Sequence, residues 1–198
     1  MSSHLMFLLI GLGTGATYAA LALGLVTVFK GTGVVNLSQG ALAMWAAFVV
    51  DEIRSSGDFV LPVGRVQVGQ SLVTALVLGV LSAAALGLAV HLLVFRPLRR
   101  APALAKVVAS VGLMITMQAV AVLRFGTESR AAAPVLPNEV VRWGSVSFPR
   151  DRLYLAAIVV ALTAALWAYF RFTLMGLATR GAAEDEEAAS LAGYSLFD

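Results

Sequence analysis

The chain has no cysteine, two histidines and only 13% charged residues among its 198. The missing cysteine excludes a disulfide framework and a thiolate metal site. The charged share is about half that of a soluble domain, while 60% of residues are hydrophobic, so an ordinary water-soluble protein is excluded. His4 and His91 lie far apart in the sequence. No nucleophile–base pair, metal-ligand cluster or phosphate-binding loop is present, so no catalytic residue, metal or cofactor is expected. The net charge of +3 could suggest nucleic acid as a partner. The arginines fall between apolar runs, however, where they set membrane orientation, and no nucleic acid is expected.

What the sequence has is long apolar runs. Five of them, 5–29, 34–50, 71–95, 107–123 and 153–170, approach or exceed the roughly 20 residues needed to cross a bilayer. Isolated spans of this length must be helical, because lipid offers no partner to an open backbone. The expected fold class is therefore all-α: a polytopic transmembrane helical protein, with residues 1–198 forming a single membrane domain. The second and fourth runs are short and are expected to be tilted, broken or shielded by protein. None of the five contains Asp or Glu, which argues against a proton relay of intramembrane carboxylates. A cleaved signal peptide is disfavoured. Ala20-Leu21-Ala22 resembles a cleavage site, yet no Lys or Arg precedes Leu5 and the apolar run continues past the site.

Residues 96–106 hold Arg96, Arg99, Arg100 and Lys106 with no acid, a density that reads as cytoplasmic. Alternation then puts the N-terminus outside, 30–33 inside, 51–70 and 124–152 outside, and the C-terminal tail inside. The tally of Lys and Arg is even between the two sides, so the short dense loop decides, because long loops weigh less. Within the outer 124–152 loop, 141–143 and 146–148 alternate around Gly144-Ser145, the pattern of a short periplasmic β-hairpin. The 51–70 loop is mildly acidic and holds Gly57, Pro62, Gly64 and Gly69.

Three constellations stand out. Gly11, Gly15 and Ala19 share one face of the first helix and would let a neighbouring helix approach closely. Between the first two runs lies a polar break, Lys30-Gly31-Thr32-Gly33 followed by Asn36-Leu37-Ser38-Gln39-Gly40. Its side chains could line a solute path or stitch helices together, and both readings stay open. His91 and Gln118, polar groups in the third and fourth runs, are read as packing or interfacial groups. After the last run, residues 182–193 form a short alanine-rich stretch with Glu184, Asp185, Glu186 and Glu187 near its start and Gly193 as a stop. A helix of that length is marginal alone in water, which suggests a cytoplasmic helix that docks on something.

These residues resemble the inner-membrane permease subunit of branched-chain amino-acid ABC importers. Three blocks carry the resemblance, in family order. The first is Gly11-Leu-Gly-Thr-Gly-Ala-Thr-Tyr18-Ala-Ala-Leu-Ala-Leu-Gly24-Leu with Gly31-Thr-Gly33-Val-Val-Asn36-Leu-Ser-Gln39-Gly40. The second is Arg96-Pro97-Leu98-Arg99 with Ala109-Ser110-Val111-Gly112-Leu113. The third runs from Thr173 through Gly176 and Arg180 to Glu187-Ala188-Ala189 and Gly193. The resemblance implies that Thr32, Gly33, Asn36, Ser38, Gln39 and Gly40 lie at or beside the translocation path. It also implies that Glu187, Ala188, Ala189 and Gly193 belong to a coupling helix resting on an ABC ATPase subunit.

The implied partners are those ATPase subunits, a second permease subunit or copy, an extracellular solute-binding protein and the lipid bilayer. The implied location is the bacterial plasma membrane. Gln39 stands where many members have His, which argues against pH sensing there. Gly181, Glu186 and Tyr194 also depart from the commonest pattern. Such permeases continue with further spans, so a truncated, fragmentary or split subunit is expected. Two alternatives remain: a permease for another small solute such as urea or a sugar, and a nontransporting membrane scaffold.

Overall fold

The computed structural model describes residues 2–32, 35–61, 64–127, 134–136, 139–143, 146–173 and 176. Five long helices dominate: α1 (Ser2–Thr32), α2 (Gln39–Ser56), α3 (Leu72–Val90), α4 (Ala103–Phe125) and α5 (Arg150–Phe172). Two antiparallel hairpins join them, β1 (Asp58–Val60) with β2 (Arg65–Gln67), and β3 (Val140–Trp143) with β4 (Val146–Pro149). Among the described residues, four segments are long and apolar enough to cross a membrane: Gly11–Lys30, Leu72–Phe95, Ala103–Phe125 and Arg150–Phe172. The chain divides into two compact units, residues 1–35 with 136–198, and residues 36–135.

In the first unit α1 packs along α5. The two helices run parallel: the Arg152 side chain lies against Gly13 at one end, and the Lys30 ammonium sits 5.1 Å from the centre of the Phe170 ring at the other. A Cβ on Gly13 would overlap the Arg152 stem. Ala16 and Val159 are buried nearby. The close approach is thus made by Gly13 and Ala16, one step round the helix from the Gly11, Gly15 and Ala19 stripe. Those three are exposed and line an open apolar groove of about 890 Å³ with Leu12, Val159 and Val160. The expected hairpin forms, pairing Val141 with Phe148 and Trp143 with Val146; Gly144 and Ser145 lie outside the described residues. The tail 182–193, with Glu187, Ala188, Ala189 and Gly193, also lies outside them.

In the second unit α2 is the central element. Ala41, Trp45, Val49 and Ile53 recur every four residues, one helix face, and all are buried. That face meets Ala75 of α3 and Met117, Ala121 and Phe125 of α4. Trp45 abuts the Phe125 ring edge-on at 5.3 Å and Phe48 stacks on it at 5.1 Å. α2 runs antiparallel to α3, since Ser55 meets Gln70 while Ala46 and Val50 meet Gly79 further along. It runs parallel to α4, since Leu37 meets Ser110 at one end and Trp45 and Phe48 meet Phe125 at the other. The outward surface of these helices is apolar: Leu93, Leu104 and Leu123 are 77%, 74% and 83% exposed. Such a surface is suited to lipid rather than to water.

The structure corrects the second run. Its helix starts at Gln39 rather than at residue 34, and passes residue 50 to include Asp51 and Glu52. Residues 51–56 therefore belong to the helix, and the next element is a hairpin rather than an irregular loop. Gly57 ends α2 at φ +82°, donating its N–H to Ile53 O at 3.0 Å, a left-handed stop that glycine adopts without strain. Val68 N–H then bonds Gly57 O at 2.9 Å, and Val60 enters the core. An acid near a helix C-terminus opposes the helix dipole; the buried Glu52 is offset by Arg65 of β2, 3.7 Å away.

Gly79 is where α3 comes closest to α2, because an added Cβ would press on Val50 and on Ala46 O. Gly79→Val should therefore lower stability by roughly 1–3 kcal/mol. Gly87→Val, where nothing lies within 4 Å, should change it little. Thermal unfolding of both variants in detergent checks this.

Candidate functional site

The polar break is a built turn. Asn36 Oδ1 accepts the Ser38 backbone N–H at 3.0 Å and the Ser38 hydroxyl at 2.6 Å. An asparagine bonding its own chain two residues on is the natural device for turning a backbone that has left a helix. Gln39 N–H bonds Asn36 O at 3.3 Å, and Leu42 N–H bonds Ser38 O at 3.1 Å, which launches α2. Across the unit, Leu37 N–H donates to Ser110 Oγ at 3.3 Å, and that hydroxyl donates to Val107 O at 2.8 Å. Asn36, Ser38 and Ser110 are buried, the two serines completely. No buried side-chain oxygen or nitrogen lacks a partner among the described residues.

Position along α4 gives the break its depth. Ser110 lies seven residues in from Ala103, about 10 Å along a helix that rises 1.5 Å per residue. The turn at 36–38 is thus level with a point two turns into an apolar helix long enough to span a membrane, one turn beyond Lys106, and not with its end. An open turn is tolerated at that depth only where protein or a water-lined cavity satisfies it.

The expected site residues separate into distinct roles. Asn36 and Ser38 stitch the turn, so their polar atoms are largely committed within the protein. Gln39 is half-buried at the first residue of α2, and its amide has no hydrogen-bond partner among the described residues. Gly40 is exposed beside it. Thr32 closes α1 in the other unit, and Gly33 lies outside the described residues. Ser110 and Glu52 are the functional-looking groups that sequence reasoning missed. Ser110 carried a signal, a hydroxyl inside an otherwise apolar run, but its partner lies 73 residues away. Glu52 falls in the stretch 51–70 expected from the sequence to be a mildly acidic loop, whereas it belongs to α2. His91 opens a π-helical turn, His91–Phe95, and is exposed; Gln118 is exposed on α4.

Comparison with known proteins agrees with this architecture. Residues 7–198 match the family described as the permease component of branched-chain amino acid transport systems. The high-affinity branched-chain amino acid transport system permease protein LivH of Escherichia coli K12 is 28% identical over 190 residues, covering 93% of this chain and 60% of that protein. LivH of Salmonella typhimurium is 27% identical over the same shares. BraD of Pseudomonas aeruginosa is 24% identical over 201 residues, covering 97% of this chain and 63% of that protein. The chain thus spans about three fifths of the length of the curated relatives it matches. No solved structure matches it.

The division of roles is testable through stability. Asn36→Ala leaves a buried N–H and a buried hydroxyl without their acceptor and should cost about 1–3 kcal/mol. Gln39→Ala should change stability by less than about 0.5 kcal/mol. Denaturant or thermal unfolding of the two variants in detergent separates them.

Proposed function

The chain belongs to the permease family of branched-chain amino acid transport systems, and from that premise we propose that it is the membrane-spanning subunit of an ATP-driven importer for these or related amino acids. In this reading it sits in the bacterial plasma membrane with its N-terminus outside and its tail inside. The observation that carries the reading is the satisfied polar turn at membrane depth, with the Gln39 amide left over beside it. A solute passing there meets neutral hydrogen-bonding groups that hold it without trapping it by charge.

α2 begins at this turn, so its N-terminal N–H groups and the positive end of its dipole face the same place. Broken helices present such ends to anionic groups of substrates within membranes. The carboxylate of an amino acid would be held there by backbone dipoles, with Gly40 as a small neighbour; the place of Thr32 and Gly33 beside the path rests on the family resemblance alone. Gly11, Gly15 and Ala19, with the groove they line, would receive a further helix of the assembly.

Five crossings fit this reading. Parallel packing of α1 and α5 needs an odd number of crossings between them, and α3 with α4 supplies only two. α2 makes the third. Its apolar part is short because the non-helical turn covers the first part of the passage and because α2 continues beyond Phe125 into the hairpin. Energy comes from partner ATPase subunits pressing on residues 182–193, with Glu187, Ala188, Ala189 and Gly193 in the contact. A solute-binding protein and a second permease subunit or copy complete the complex. Such coupling requires that the contact differ in free energy between the two access states.

With the partner subunits present, Gln39→Leu should lower uptake of labelled leucine about tenfold, the worth of one polar contact, while the assembled complex is recovered in the usual amount. Unchanged uptake would remove Gln39 from the path. Glu187→Lys should abolish co-purification of the ATPase subunits, and intact co-purification would place the coupling contact elsewhere.

A further inference from the structure

From Ser71 to Thr127 the chain contains no Asp or Glu, yet Arg96, Arg99, Arg100 and Lys106 fall within eleven residues of one another. Arg96, Arg99 and Arg100 lie on the segment that joins α3 to α4, and Lys106 lies on the first turn of α4, at one end of two antiparallel apolar helices. The segment is tightly wound. α3 passes into the π-helical turn His91–Phe95, closed by Arg96 N–H on His91 O at 2.8 Å, and then into the 3-10 turn Pro97–Arg100. Ala101 and Pro102 lead directly into α4. Arg96 is exposed and Lys106 half-buried, and neither has an ion-pair partner among the described residues.

Close in the chain to these cations stand large exposed apolar side chains. Leu93 on the π turn, with Leu104 and Val108 on the first turns of α4, project from the protein. The segment therefore presents two chemistries in sequence along the bundle: an apolar wall, then positive charge at its rim. A free phosphate or an acidic protein surface would use only the charge. A phospholipid with an anionic headgroup uses both.

We propose that the α3–α4 turn is a docking site for an anionic phospholipid, whose headgroup phosphate is held by Arg96 and Lys106, with Arg99 and Arg100 adding to the positive charge of the same stretch of sequence, and whose acyl chains lie on Leu93, Leu104 and Val108. Basic juxtamembrane clusters of this kind draw anionic lipid. Its lipid would hold the turn at the membrane surface.

The absence of native cysteine makes the test direct. Ala101→Cys in the full chain carries a fluorophore, and the protein is reconstituted in phosphatidylcholine vesicles with brominated phosphatidylglycerol or brominated phosphatidylcholine as quencher. The expected result is a preference for phosphatidylglycerol of about tenfold or more, falling as salt rises. Arg96→Gln/Arg99→Gln/Arg100→Gln should bring the preference close to unity, while the triple Lys variant keeps it; circular dichroism confirms that both stay helical. A single Lys106→Gln should reduce the preference by a smaller step, which keeps the test open should the triple Gln variant unfold. Equal quenching by the two lipids in the parent overturns the proposal, as does a preference that survives the Gln substitutions. Preference retained while partner subunits from the cell membrane are lost would assign the patch to protein and overturn it as well.

Discussion

A peptide group that leaves a helix inside a membrane must find a partner in the protein, because lipid supplies none. At residues 36–38 this chain meets that demand with one asparagine and two serines. Asn36 closes the turn on Ser38, and Ser110 reaches from α4 to take the Leu37 N–H. Remove that arrangement and α2 has no defined starting point, so its i, i+4 ladder of Ala41, Trp45, Val49 and Ile53 loses its register against α3 and α4. The break is therefore not a weakness in a span but the joint from which the second unit is assembled.

Starting α2 within the membrane displaces the whole helix along its own axis. Its far end carries Glu52 out beyond Phe125 to where β2 can supply Arg65. Gly57 and the hairpin then fold back over that end, and Val60 fills the core beside it. A buried carboxylate at the end of an apolar helix is intelligible only with this offset. The same displacement directs the positive end of the helix dipole at the polar turn.

How much of this was legible depended on whether the signal was local. The helices α1, α3, α4 and α5 follow from uninterrupted apolar runs, and the β3–β4 hairpin follows from alternation around Gly144-Ser145. The second helix was misplaced at both ends. Val35 continues the apolar run forward although it lies outside the helix, and Asp51-Glu52 read as its end although Arg65 pairs with Glu52 in the fold. The first hairpin escaped because its strands are three residues each, too short for a period to declare itself. Along α1 the sequence offered two small-residue faces, and only the Arg152 stem decides that Gly13 rather than Gly11 meets α5. In the site, Asn36 and Ser38 were visible as polar residues in an apolar setting. That they serve the turn, leaving Gln39 uncommitted, depends on contacts no spacing encodes.

If the turn at 36–38 joins two crossings, α2 traverses the membrane despite its short apolar stretch. Single cysteines at Ser3, Gln67 and Glu139, with Arg99 as the opposite-side reference, can be probed in intact cells with a membrane-impermeant maleimide. The account predicts labelling of Ser3→Cys, Gln67→Cys and Glu139→Cys from outside, and of Arg99→Cys only after the membrane is permeabilised. Labelling of Ser3→Cys and Gln67→Cys from opposite sides would mean that α2 does not cross, and would contradict it.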